Sequence, residues 1–158
     1  MKEAALQFTN LLEVALCQRF EDMAFSAPKE VKPIMNLVVE FETRLIKILH
    51  NPYKIPQDYV EIIGDDRSWT KVFEQAAGLP DKNLAVILIW SAVDLTERSI
   101  RYYQQASVNC SMPDQRLFFS SIAEMKKIIK KKLDHLLRII HNEIWQITGY
   151  APYDSTRE

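Results

Sequence analysis

Three glycines in 158 residues leave no material for a glycine-rich phosphate loop, and none of the known phosphate-cradling spacings occurs. Cysteine is equally scarce. Cys17 and Cys110 are the two thiols, each in or beside an apolar helical pattern and not in a paired motif, which excludes a disulfide framework and fits reduced thiols. No charge of one sign dominates: 20 basic against 21 acidic residues, a formal net charge of -1, gives no overall electrostatic footprint for nucleic acid or an anionic membrane. No uninterrupted apolar run approaches the roughly 20 residues needed to cross a bilayer. These absences together point to a cytoplasmic protein with no nucleic-acid or membrane partner.

What is present is apolar and helical. With 47% apolar residues, a chain of this length buries a core as one domain without help from disulfides or metal. Its helix breakers are clustered at Pro28 and Pro33, at Pro52 and Pro56, at Gly64, Gly78 and Pro80, at Pro113, and at Gly149 and Pro152. Between them the apolar period is close to 3.6, so four long helices are expected. The first, about 2–25, carries Leu6, Leu12, Leu16, Phe20, Met23 and Ala24 on its stripe. The second starts near Lys29 with Pro33 in its first turn, and carries Ile34, Leu37, Val38, Phe41, Leu45, Ile48 and Leu49. The third, 83–107, is apolar on all sides as far as Val93 and is expected to be buried on most of them. The fourth runs from Pro113 or Asp114 to Thr148, stepping by three or four through Phe118, Ile122, Met125, Ile129, Leu133, Leu136 and Ile140, with Gly149 as its stop. The stretch 51–82 is too long for a turn; it reads as a crossover with one short helix near 69–77. The fold class is all-α: two helical hairpins joined by a long crossover, one domain over 1–149, followed by a tail, 150–158, suited to docking.

The hairpins resemble each other. Glu13 lies seven residues before Phe20, and Thr96 seven before Tyr103; Ile34-x-x-Leu37-Val38 aligns with Phe119-x-x-Ile122-Ala123. On topology, period and repeat, the chain resembles the rubrerythrin-type branch of the ferritin-like superfamily over essentially its whole length. That resemblance implies a four-helix bundle with a di-iron centre held by about six ligands, a Glu from each hairpin's first helix and Glu-x-x-His from each second one. Carried over by position, the ligands fall on Glu13, Phe41, Arg44, Thr96, Lys126 and Ile129, of which Glu13 alone is a carboxylate. His50, His135 and His141 follow Lys47, Lys132 and Arg138 at the third position, so no Glu-x-x-His exists.

Two readings follow. The metal ligands are largely lost and no cofactor is expected; or Glu42, Glu97 and Glu124, each a residue or two from a ligand position, join Glu13 in an atypical carboxylate site for iron or manganese. If Glu13 does lie in the bundle centre it needs a counter-charge. Lys126 shares a row with Ile122, Ile129 and Leu133, and Arg44 replaces a histidine, so either or both qualify. The alternative leaves Glu13 at a watered edge with Lys126 snorkelling outward.

Other candidates carry less. The basic run Lys126-Lys127-Ile128-Ile129-Lys130-Lys131-Lys132 occupies positions that the apolar stripe leaves free, as a solvated face does. Arg44 and His50 resemble the arginine–histidine spacing of HEPN-type ribonucleases, but six helical steps put them on different faces. Cys17 reads as inert packing. The expected function is therefore a non-catalytic structural or protein-interaction subunit, a homodimer or part of a larger complex. A ferritin-like metal-binding or redox protein is the alternative.

Overall fold

The computed structural model describes residues 2–50 and 59–148, with side chains over 4–50 and 59–143. The tail 150–158, the Gly149 stop and the start of the crossover lie outside the described residues. Six helices follow in order: α1 Lys2–Ser26, α2 Lys32–Leu49, α3 Val60–Ile63, α4 Asp66–Ala76, α5 Lys82–Asn109 and α6 Pro113–Thr148. All regular structure among the described residues is helical, and no helix there is long and apolar enough to cross a membrane.

Local chemistry sets the boundaries. Pro28 ends α1 and its carbonyl accepts from the Val31 and Lys32 amides at 2.9 and 3.0 Å, a turn that delays α2 to Lys32, with Pro33 in its first turn where a missing amide hydrogen costs nothing. The crossover holds two helices where the sequence pattern gave one. Gly64 closes α3 at φ 90°, and Asp65 caps α4 by accepting from the Arg67 amide at 2.7 Å. α4 thus begins earlier than its apolar residues indicate. Asp81 caps α5 in the same way, accepting from Leu84 at 3.0 Å.

α1 packs on α2 and α5 on α6, giving two hairpins, while α4 lies against α6 and α2. The α6 stripe is buried as its spacing requires, from Phe118 through Ile140. Phe20, Met35, Val38, Phe41, Leu45, Trp69, Ile89, Tyr103 and Leu133 meet it in one continuous core. Each fully buried aliphatic or aromatic side chain contributes about 1.5–3 kcal/mol of transfer free energy.

Two expectations fail. The inward face of α1 centres on Thr9, Glu13, Cys17, Phe20 and Ala24, while Leu6, Leu12, Leu16 and Met23 flank it half-buried. The first half of α5 is not buried on most sides: Ala85, Ile89, Ala92 and Val93 face the core, but Ile87 and Trp90 are 61% and 62% exposed. The reason is the crossover's path. α4 covers α2 and α6, so the outer face of α5 receives no layer from it.

Candidate functional site

Each long helix sends one polar side chain to a common point in the core. Glu13 of α1, Glu42 of α2, Tyr103 of α5 and Lys126 of α6 are all at most 1% exposed. Lys126 arrives because Ile122, Lys126, Ile129 and Leu133 occupy one row of α6, the others of which are core. Its Nζ lies 2.7 Å from Glu13 Oε1, and 3.2 and 3.4 Å from the two oxygens of Glu42. Tyr103 donates its hydroxyl to Glu13 Oε1 at 2.6 Å, and the ammonium sits 5.4 Å from the centre of its ring, within cation–π range.

Burial opposes ionisation of Glu13, but the Lys126 charge, the adjacent Glu42 carboxyl and the contacts from Lys126 and Tyr103 outweigh it and hold its carboxyl below the usual range. Glu42 is pushed well above that range by burial and by the neighbouring Glu13 charge, which Lys126 only partly offsets. Burial likewise works against the Lys126 cation, yet the two glutamates keep its pKa above that of an ordinary lysine. The Tyr103 phenol is raised well above its usual value by burial and then by Glu13. An ammonium held in its charged form lacks the lone pair a nucleophile or Schiff-base lysine needs. A tyrosine committed to donating its proton in a hydrogen bond is no stronger a candidate.

The positions singled out in the sequence separate cleanly. Glu13 and Lys126 meet. Glu42 joins them from one residue beyond the expected position, while Phe41 is apolar core. Thr96 is buried but turns its hydroxyl back to the Ala92 carbonyl at 2.7 Å, and Ile129 is core. Arg44 is not the counter-ion of Glu13. It pairs with Glu40 at 3.6 Å and donates to the Ile62 carbonyl at 3.4 Å, clamping α2 to α3. His50 is exposed at the end of α2. Glu97 pairs with Arg101 and Glu124 with Lys127 on the surface, so the four-carboxylate arrangement does not form. Tyr103 reads from the sequence as a core or interface aromatic; the one signal of its place in the cluster is the seven-residue spacing from Thr96 that mirrors Glu13 and Phe20.

As a di-iron site the cluster does not fit. Two carboxylates converge, but an ammonium lies on both, and among the described residues no group of three or more histidine, cysteine or acidic side chains is placed to hold a metal ion. The basic run disperses as well: Lys126 is interior, Lys127 pairs with Glu124, and Lys132 reaches Asp66 at 3.1 Å over the ring of Trp69. Cys17 is buried against Thr43 and Glu21, and burial raises its thiol pKa, the opposite of what a reactive cysteine needs. No family model, curated protein or solved structure matches the chain.

Proposed function

We propose that this chain is a ferritin-like bundle with a degenerate metal site, serving as a non-catalytic structural or interaction subunit that pairs with a second copy of itself. The observation that carries the reading is the position of the Lys126 ammonium, on Glu13, the one carboxylate kept at a ligand position, and on the adjacent Glu42. It supplies the positive charge a metal would supply, without open coordination positions.

The outer face of α1 supports the interaction role. From Ala4 to Gln18 its one charged residue is Glu13, which is buried, while Phe8, Leu11 and Val14 are 56%, 68% and 48% exposed. Exposed large apolar side chains grouped on one helix face fit an interaction surface. Ala4, Phe8, Leu11 and Ala15 follow the four-three-four spacing of a helix-pairing seam. An antiparallel copy related by a two-fold axis near Leu11 and Leu12 sets Phe8 opposite Ala15, large against small, and opposes no like charges along the seam.

Metal analysis and light scattering on the purified protein test both halves. The expected result is no stoichiometric iron or manganese and a dimer mass that Leu11→Glu reduces to a monomer with helicity intact. About two metal ions per chain would overturn the non-catalytic reading. A monomer for the unaltered protein at about 100 μM would overturn self-pairing alone.

A further inference from the structure

The cluster divides its chemistry between the hairpins. Both carboxyl groups, Glu13 and Glu42, come from α1 and α2, and both donors, Lys126 and Tyr103, from α5 and α6. The charges do not balance. Two carboxylates face one ammonium with water excluded, and the phenol is a neutral donor, so full ionisation would leave one uncompensated negative charge in the core. The hydrogen bonds do not balance either. Glu13 Oε1 receives both Lys126 and Tyr103, whereas Glu13 Oε2 is buried with no donor. The other buried carboxyl group at this point is that of Glu42, held on the same ammonium as Glu13.

We infer that Glu42 is a neutral carboxylic acid whose hydroxyl donates to Glu13 Oε2, so that one proton completes a pH-sensitive clasp between the two hairpins. The proton belongs on Glu42 because the ammonium is nearer Glu13, 2.7 Å against 3.2 Å, and because Tyr103 donates only to Glu13. Other groups leave the assignment unchanged: Cys17 on α1 is a buried neutral thiol, and Arg44, on the same helix as Glu42, is committed to Glu40 and Ile62. The opposite displacements of the two carboxyl groups from their ordinary value agree with it. With its proton, the cluster carries one negative and one positive charge and every carboxyl oxygen has a partner. Without it, the inner face of the first hairpin carries two negative charges against one positive, and the hairpins are held less tightly.

The sign of the pH dependence follows. A carboxyl that stays protonated in the folded chain and ionises in the unfolded one stabilises fully below its unfolded pKa, and that contribution drains away as pH rises through the folded value. Isotope-edited infrared spectroscopy at neutral pH should show the carbonyl band of a buried, protonated carboxyl in the unaltered protein and lose it in Glu42→Gln. That variant keeps the shape, the neutrality and a donor toward Glu13. Its thermal midpoint at neutral pH should move by no more than about 3 °C. Between about pH 5 and about pH 9, the fall in midpoint seen in the unaltered protein should flatten in the variant. Absence of the band from the unaltered protein, or an undiminished pH-dependent fall in Glu42→Gln, would overturn the assignment; the infrared measurement decides alone if the variant does not fold.

Discussion

Replacing Lys126 with methionine keeps the length and most of the volume of the stem, so the core stays filled and the change is electrostatic. It strips Glu13 of a contact at 2.7 Å and Glu42 of one at 3.2 Å, in a place where none of the three side chains meets appreciable water. Removing one member of a buried ion pair costs about 3–5 kcal/mol, mostly through the charge left behind. For a domain whose total stability is about 5–15 kcal/mol, that is roughly a fifth of it or more. At about 2–4 °C per kcal/mol for this size of chain, the thermal midpoint should fall by roughly 6–20 °C. Because the orphaned Glu13 can take up a proton, the deficit should shrink toward acid pH. Glu13→Gln alone should cost less, since Glu42 remains beside Nζ to serve as counter-ion. The double variant Glu13→Gln/Lys126→Met carries no net buried charge, and its cost should fall short of the sum of the two by about 1–3 kcal/mol. Urea titrations of the four proteins measure that difference. A cost for Lys126→Met below about 1 kcal/mol, or additivity in the cycle, would refute the claim that the contact is an energetically coupled buried pair.

Two further outcomes are expected. Glu13 is held below the ordinary carboxyl value of 4.5, so its contribution is complete above that pH and lost as pH falls through the folded value; Lys126, raised above 10.5, contributes fully below that pH and loses its share as pH climbs past it. Urea midpoints across the acid limb should therefore fall less steeply in Glu13→Gln than in the unaltered protein, and an equal slope would count against the pairing. Gly64→Ala should cost about 1–3 kcal/mol, because φ is 90° in a region closed to side chains and an added Cβ comes 3.0 Å from Arg44 Nη1. Gly78→Ala is the control, with its nearest neighbour at 3.8 Å and a change within about 1 kcal/mol expected, both read by thermal melts.

The long helices and the inward turn of Lys126 could be read from the sequence because both are consequences of period: a lysine in a row of Ile122, Ile129 and Leu133 goes where the row goes. Glu42 was displaced by one residue for a reason that also lies in packing. α2 touches α1 on one side and α3 and α4 on another, so its buried arc is wide enough to hold both Phe41 and Glu42, and a stripe drawn through the apolar residues alone stops short of the glutamate. Tyr103 could not be assigned to the cluster, since its ring satisfies the apolar pattern and its hydroxyl finds a partner 90 positions away. The apolar first half of α5 reads as buried on most sides, yet Ile87 and Trp90 are exposed. Apolar periodicity records which faces avoid charge, not whether the neighbour is the same chain, another copy or water.

The unequal distribution of donors and acceptors bears on how the two halves of the chain recognise each other. The hairpins are similar in pattern, and similar helical hairpins carry a built-in ambiguity: each can pack on its own kind from another chain as well as on its neighbour. A buried cluster removes that ambiguity if the two sides are complementary and not alike. Pairing α1 and α2 with their own counterpart would bring four carboxyl groups together with no cation; pairing α5 and α6 likewise would bury two ammonium groups without an anion. Only the pairing of unlike hairpins gives acceptors to donors. The cluster thus contributes to specificity even if its net contribution to stability is no greater than that of an apolar core.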